Sequence, residues 1–385
     1  MKKILFIIDT VDNGGVGIVL KNLLTYLDKS KYEVSILTFD CNFKYEHLLP
    51  SEIAIFHAYE KNPAKSRSKI VRYTYGILRN IIPSSIIRAL FIKEKYDIAI
   101  DFKGNNLNIL CSMQCPKVLW SHKDYSPITN LIEREMIETY GKTIRGKYKE
   151  NRFRKQIRNV DHIVCISNYT KQGFVDRWHP IVPVSVVHNI IDTERVIRQS
   201  KEEVSYHKPS DRIVFCCVSR ISKGKGIERL FSCVERLNAE EYIFDLNIVG
   251  GGDAFEEMQL LLKNMNLPNV KMLGNKDNPF PYLREADVFV CPSETECYST
   301  VLCESIVLGK PIIMTNVGAS KEIMDEGNYG FLVDNTELGI LEGMRSFIEH
   351  PQYISQFSRS VETINSQFDI QKRIRELESF LDNIV

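Results

Sequence analysis

The chain has no apolar run approaching the roughly 20 residues that a membrane-crossing helix needs, no CxxC pair, no repeat of solenoid period and no low-complexity tract. The first absence argues against an integral membrane protein. Met1 to Asp9 is also too short an apolar run for a signal peptide, so the chain is expected in the cytoplasm. Without CxxC spacing, zinc-ribbon and thioredoxin-like readings fail, and the ten cysteines need another account. Cys216, Cys217 and Cys303 lie inside apolar runs, as buried thiols of a reducing compartment would. Cys111 and Cys115 stand closer to polar sequence, but no metal is expected there.

What is present is ample material for a core. At 385 residues the chain exceeds the size at which a single core keeps growing, so two domains are expected. Apolar residues make up 44% and charged residues 26%, a globular balance. The net charge of +1 conceals an asymmetry. Residues 1–200 carry 31 Lys and Arg against 20 Asp and Glu, a surplus of +11, which leaves −10 for the remainder. Opposite signs suggest different partners for the two domains.

Short continuous apolar runs recur along the chain in the manner of buried parallel strands. Ile4–Ile8 runs into Asp12-Asn13-Gly14-Gly15, Val19–Leu27 reads as a helix, and Glu33–Thr38 as the next strand, a βαβ opening. Tyr96–Asp101, Lys117–Trp120, His162–Ile166 and Val184–His188 continue the series. A polar stretch between about 196 and 211 reads as a linker. Strand candidates then resume at Ile213–Val218, Phe244–Val249, Val270–Leu273, Val288–Val290, Pro311–Met314 and Gly330–Val333, separated by helices such as Gly226–Leu237. The expected architecture is α/β, a pair of Rossmann-like doubly wound domains with ligand at the carboxyl ends of their strands. The expected boundaries are 1–195, 196–367 and a C-terminal helix within 368–385.

Three segments carry chemistry. Asn13-Gly14-Gly15-Val16-Gly17 lies between the first strand and the first helix, where glycine lets the backbone approach a phosphate at a helix N-terminus. Alone it reads equally as a tight turn. It lacks the third glycine of the dinucleotide fingerprint, which counts against a dehydrogenase. After the Ile213–Val218 strand, Arg220 can fork two donors onto a diphosphate and Lys225 can add a point charge, among Gly224 and Gly226. Third, Glu296 lies on a loop and Glu304 within the helix that begins near Ser299. If all the intervening residues were helical, the two would be separated by about 12 Å at roughly 1.5 Å per residue. That is too far for a shared proton and suits the two ends of an elongated ligand; two solvated acids at a helix start remain an alternative.

Taken together and in order, these segments resemble the retaining glycosyltransferases of family four, which have the GT-B fold. The series runs from the glycine loop through Trp120-Ser121-His122, Val187-His188-Asn189-Ile190-Ile191-Asp192, Arg220 to Gly226 and Ile248-Val249-Gly250-Gly251-Gly252 to the pair Glu296 and Glu304. It ends with Gly309-Lys310-Pro311-Ile312-Ile313 and Gly318-Ala319-Ser320-Lys321-Glu322-Ile323. The resemblance implies two Rossmann-like domains facing a cleft. It implies that Arg220 and Lys225 hold the donor diphosphate, that Glu304 holds the ribose hydroxyls and that Glu296 faces the donor sugar. Backbone N–H groups near Ser299, Thr300 and Val301 would meet phosphate. Gly15, Gly17, Gly250 and Asn275 complete the implied donor set, and His122 is placed near the transferred sugar. The implied catalytic set is thus Glu296, His122, Arg220 and Lys225. This chain writes Cys297-Tyr298-Ser299 where the family usually has Gly-Phe-Gly, a departure that bears on loop flexibility and sugar preference.

The expected reaction is transfer of a hexose-type sugar, with retention, from a nucleotide diphosphate (UDP ahead of GDP) to a glycan or lipid-linked glycan in cell-surface polysaccharide synthesis. No cofactor or metal is expected; the chain has no Asp-x-Asp motif of the kind that binds a cation in metal-dependent transferases. A GT-B epimerase or phosphorylase, or a silent partner subunit, would share the domain pair. The acceptor is expected on the basic N-terminal half. Lys61–Lys95 holds nine Lys and Arg against Glu94, interleaved with apolar residues, and Lys142–Arg158 holds eight against Glu150. Such segments can meet an anionic membrane surface as a peripheral contact, or be ordinary solvated faces. No nucleic-acid reading motif accompanies them.

Overall fold

In the computed structural model the described residues are all but 10–13, 40–48, 58–85, 87, 90, 91, 93, 126–142, 205–207, 359–367 and 385. Two compact units form: Met1–Ile190 with Gln371–Val385, and Ile191–Ile370.

Unit 1 is built on a seven-stranded sheet in the order β3-β2-β1-β4-β5-β6-β7. Its strands are β1 Lys2–Ile8, β2 Tyr32–Thr38, β3 Ala54–His57, β4 Ile98–Asp101, β5 Lys117–Ser121, β6 His162–Cys165 and β7 Val184–Val186. Every pairing is parallel. β1 is central: Ile4 is in register with Val34 of β2 and with Ile98 of β4. Ile4 through Ile8 are all at most 1% exposed, as an unbroken apolar run requires when both faces of a sheet are covered. Helices Gly15–Tyr26, Leu107–Leu110, Ile144–Ile157 and Asn168–Trp178 connect the strands.

Unit 2 repeats the plan with six parallel strands in the order β10-β9-β8-β11-β12-β13. They are β8 Ile213–Val218, β9 Phe244–Val249, β10 Val270–Gly274, β11 Val288–Cys291, β12 Ile312–Thr315 and β13 Gly330–Val333. Alternation along β8 divides the core. Val214 and Cys216 face one layer with Phe289, Cys291 and Met314, while Phe215 and Cys217 face the other with Val288, Val290 and Ile313. The cysteines thus act as small apolar fillers, and burial pushes the Cys216 thiol up to about 12. In both sheets the strand order reverses beside the first strand of the unit, β1 or β8, where open α/β sheets bind ligands at their carboxyl edge.

Three points differ from or lie beyond the sequence reading. β3 had no counterpart in the sequence reading: it is a four-residue edge strand with Ala54, Phe56 and His57 exposed, so it lacks the apolar run that marks its neighbours. The polar stretch read as a linker opens inside a helix, Thr193–Ser200, whose Val196 is fully buried. Most of Lys61–Lys95 lies outside the described residues. Among those described, no helix is long and apolar enough to cross a membrane.

The C-terminal helix Ile370–Ile384 belongs to unit 1 from Gln371 onward. Its Leu377 and Leu381 are fully buried. Phe380 meets the His162 ring edge-on at 4.9 Å. Lys2 Nζ and Tyr32 Oη donate to Asp382 Oδ1 at 3.0 and 2.9 Å, and Lys31 Nζ donates to Glu378 at 2.8 Å. Leu381→Ala is therefore expected to cost about 2–5 kcal/mol through lost burial and a cavity. Chemical denaturation checks this, and an unchanged midpoint would remove the helix from the core of unit 1.

Candidate active site

At the carboxyl edge of unit 2, the three loops after β8, β9 and β10 are tied together by backbone. Ser219 N donates to Val249 O at 3.1 Å, Ile221 N to Gly251 O at 3.0 Å and Gly250 N to Gly274 O at 2.9 Å. Gly250 has φ +144°, and a Cβ there would stand 1.8 Å from Ser219 O. The glycine run after β9 thus presses on the loop that carries Arg220. Arg220 is exposed and forms no side-chain hydrogen bond or ion pair with the described residues. Asn275, just past β10, is exposed as well.

The loop continues to Lys225, whose Nζ donates to Glu296 Oε1 at 2.6 Å. Ser293 Oγ donates to the same oxygen at 2.9 Å. The backbone beneath is pinned from two sides: Glu294 N donates to Gly224 O at 2.9 Å, and Thr315 Oγ1 donates to Ser293 O at 2.5 Å. A third side is Gly318, at φ +56°, where a Cβ would lie 1.7 Å from Glu296 O. Burial works against the Lys225 charge, but the Glu296 carboxylate outweighs it and the ammonium pKa ends above its ordinary value. Two residues that sequence reasoning assigned to different parts of a ligand are therefore in direct contact.

Helix Thr300–Val307 begins at Ser299, whose hydroxyl caps it by accepting from Leu302 N at 3.3 Å. The segment from Glu296 to Ser299 is loop, so the fully helical separation considered above does not apply. The first-turn amides of Thr300 and Val301 have no carbonyl within the helix to donate to. Glu304 lies inside the helix and is 6% exposed. Burial pushes its carboxyl pKa up to about 7, with Arg195 pulling the other way. Arg195 Nη2 stands 3.8 Å from Glu304 Oε1. Sequence reasoning missed Arg195; its one signal was a position three residues after Asp192, in the helix Thr193–Ser200 that runs into the stretch read as a linker.

In unit 1, His122 follows β5. Its ring lies 4.6 Å from Phe102 and stacks at 8° to Trp120. Its Nε2 is buried with no hydrogen-bond partner, and burial holds the imidazole neutral by lowering its pKa to about 3. Beside it is a polar chain that the sequence did not reveal: Lys123 Nζ donates to Asn105 Oδ1 at 2.9 Å, and Asn105 Nδ2 donates to Asp9 Oδ2 at 3.0 Å. Gly15 is exposed at the first position of helix Gly15–Tyr26, and Gly17 is buried one residue past its neighbour Val16. Among the described residues no group of three or more His, Cys, Asp and Glu is arranged to hold a metal ion.

Glu304 makes a pH prediction. Its folded pKa lies above the ordinary 4.5, so the folded state binds the proton more tightly than the unfolded one. That contribution to stability is present below the unfolded pKa and is lost as pH rises through about 7. Glu304→Gln, which is neutral throughout, is expected to melt above wild type at pH 8, by up to roughly 3 kcal/mol of stability. The advantage should shrink toward pH 5. A melting difference independent of pH would show that Glu304 is not buried as a strained carboxylate.

Comparison with known proteins identifies the family and the fold. Residues 13–195 match the model described as Glycosyltransferase Family 4, and residues 198–362 match Glycosyl transferases group 1. The chain is 26% identical over 199 residues to the N-acetylgalactosamine-N,N'-diacetylbacillosaminyl-diphospho-undecaprenol 4-alpha-N-acetylgalactosaminyltransferase of Campylobacter jejuni, covering 51% of this chain and 53% of that one. This chain thus spans about half the length of that relative. The structure of sucrose-phosphate synthase from Thermosynechococcus elongatus superposes with a TM-score of 0.76 at 15% identity, over 100% of this chain and 99% of that one. Anabaena HepE in complex with UDP and glucose superposes with a TM-score of 0.71 at 16% identity, over 99% and 100%. With two Rossmann-like units that share the fold of these proteins and family models matching both halves, the chain belongs to glycosyltransferase family four and has the GT-B fold.

Proposed function

We propose that this chain moves a hexose-type sugar from a nucleoside diphosphate donor, UDP ahead of GDP, to a glycan or lipid-linked glycan acceptor in polysaccharide synthesis, with retention and without a metal ion. The observation that carries the reading is the Lys225–Glu296 contact at 2.6 Å, set beside exposed Arg220 and buried Glu304 on one edge of unit 2. A cation paired with a carboxylate before ligand arrives fits a donor that brings both a diphosphate and a hydroxylated sugar. Lys225 turns to the phosphate and Glu296 to the sugar hydroxyls, so neither charge is left unmatched.

The leaving diphosphate gains negative charge as the glycosidic bond breaks and the sugar becomes oxocarbenium-like. Arg220, Lys225 and the first-turn amides near Ser299, Thr300 and Val301 supply the compensating field. Glu304 takes the ribose hydroxyls. Gly250 and Asn275 line the same edge. The roles of Gly15, Gly17 and His122 rest on the family resemblance; a neutral imidazole is the form that can accept or donate one hydrogen bond at a sugar. The UDP bound by HepE and the diphospho-undecaprenol named for the Campylobacter transferase support a uridine donor and a lipid-linked acceptor.

Peripheral contact with an anionic membrane is part of this reading. Helix Ile144–Ile157 carries Lys147, Lys149, Arg152, Arg154 and Lys155 against Glu150, and its Tyr148 is 64% exposed.

Two experiments test the proposal. Lys225→Ala and Glu296→Ala are each expected to lower kcat/KM by about a hundredfold or more, measured as nucleotide release with donor and a glycan acceptor; full activity in both would overturn the site. Conversion of donor sugar with no acceptor and no nucleotide release would instead mark an epimerase. For the membrane contact, the protein is expected to co-float with anionic liposomes at low salt and to be released as salt rises, and indifference to such liposomes would end that part.

A further inference from the structure

Arg195 is held from several sides. Its backbone N donates to the capping Asp192 Oδ1 at 2.8 Å, its Nη1 donates to Gln199 Oε1 at 3.2 Å, and its guanidinium carbon lies 5.3 Å from the centroid of the Phe280 ring. Nε is buried without a hydrogen bond and stands 3.8 Å from Asp192 Oδ2. Nη2 stands at the same 3.8 Å from Glu304 Oε1. The side chains of Arg195 and Glu304 are only 18% and 8% exposed.

That spacing is too long for a hydrogen bond, yet at this depth it is close enough for strong attraction between charges. A tight bidentate pair would use the carboxylate's acceptors. Here they are unspent, since the Glu304 side chain accepts no hydrogen bond from the described residues. As a stabilising device the arrangement is poor, because a buried pair repays its desolvation only when geometry and hydrogen bonding are good. As a device that sets a cation beside a carboxylate and leaves its oxygens open to incoming hydroxyls, it is well made.

We propose that Arg195 is the positioning residue of the ribose subsite, holding Glu304 as an aimed carboxylate with both oxygens free to accept the 2′ and 3′ hydroxyls of the donor nucleotide. The inference rests on the ribose role given to Glu304 above. Neutral Glu304 would accept less well and would present its own proton to one hydroxyl. Arg195 touches no ligand itself and acts through the carboxylate.

The test is discrimination, which a merely structural role would not move. Binding of UDP and of 2′,3′-dideoxy-UDP is measured by titration calorimetry on the full chain, with the guanosine pair run in parallel. Wild type is expected to prefer the ribose form by about tenfold or more, the value of hydrogen bonds to a charged group. Arg195→Met, which keeps the apolar stem over Phe280, should reduce that preference below about threefold, and Arg195→Lys should restore part of it. If Arg195→Met does not fold, Arg195→Gln is read in its place. Adding Arg195→Met to Glu304→Gln should cost less than about twofold beyond Glu304→Gln alone. An Arg195 variant that keeps the wild-type preference, or losses that multiply in the double variant, would overturn the inference while leaving Glu304 on the ribose. Equal binding of ribose and dideoxy forms by wild type overturns the ribose role itself, and the inference with it.

Discussion

The approach of backbone to backbone at the carboxyl edge of unit 2 governs the arrangement of its candidate site. Gly250 lies where a Cβ would come within 1.8 Å of Ser219 O, and Gly318 where one would come within 1.7 Å of Glu296 O. Each contact fixes a loop from an adjacent element: the first sets the turn that presents Arg220, the second the turn that presents Glu296. Neither loop could be held so closely by side chains, which would add rotamer freedom between the functional group and the sheet. The left-handed φ of +56° at Gly318 adds a second reason why no other residue serves there. Rigid sheet, short loop and bare backbone together place charged groups that would otherwise wander.

The charges so placed are not arranged for stability. Lys225 is drawn into a partly buried position and kept charged by Glu296, while Glu304 is buried with its cation 3.8 Å away. His122 is the complementary case, a titratable ring whose Nε2 is sealed among aromatic neighbours and kept neutral. A protein selected only to fold would fill these positions with apolar side chains. Strained electrostatics of this kind cluster at functional sites.

Much of this was legible in the sequence because parallel strands covered on both faces leave an unmistakable mark. Ile4–Ile8 and Ile213–Val218 are continuous apolar runs of the kind that strands covered on both faces carry, and with the helices between them they mark the α/β plan. The edge strand Ala54–His57 left no such mark, since an exposed edge does not select for apolar residues. The placement of Arg220 on the loop after β8, Glu296 on a loop and Glu304 within a helix was legible from the turn and helix signals around them. The direct contact of Lys225 with Glu296 was not, because 71 residues separate them and only the β8–β11 pairing brings their loops together. Arg195 was hidden for a different reason: its helix is short and polar in composition, and its importance lies in one partner more than a hundred residues away.

The division of the chain has a consequence for its synthesis. Unit 2 is one continuous stretch, Ile191–Ile370, whereas unit 1 takes its last piece from Gln371 onward. Chains are made from the amino end at about 5–20 residues per second, and domains generally fold as units. The sheet of unit 1 is therefore complete in sequence long before Leu377 and Leu381 exist to close its surface. The first unit to begin is the last to be finished, and for the roughly 9–36 s that unit 2 takes at that rate, unit 1 lacks the cover that Leu377 and Leu381 supply in the finished fold.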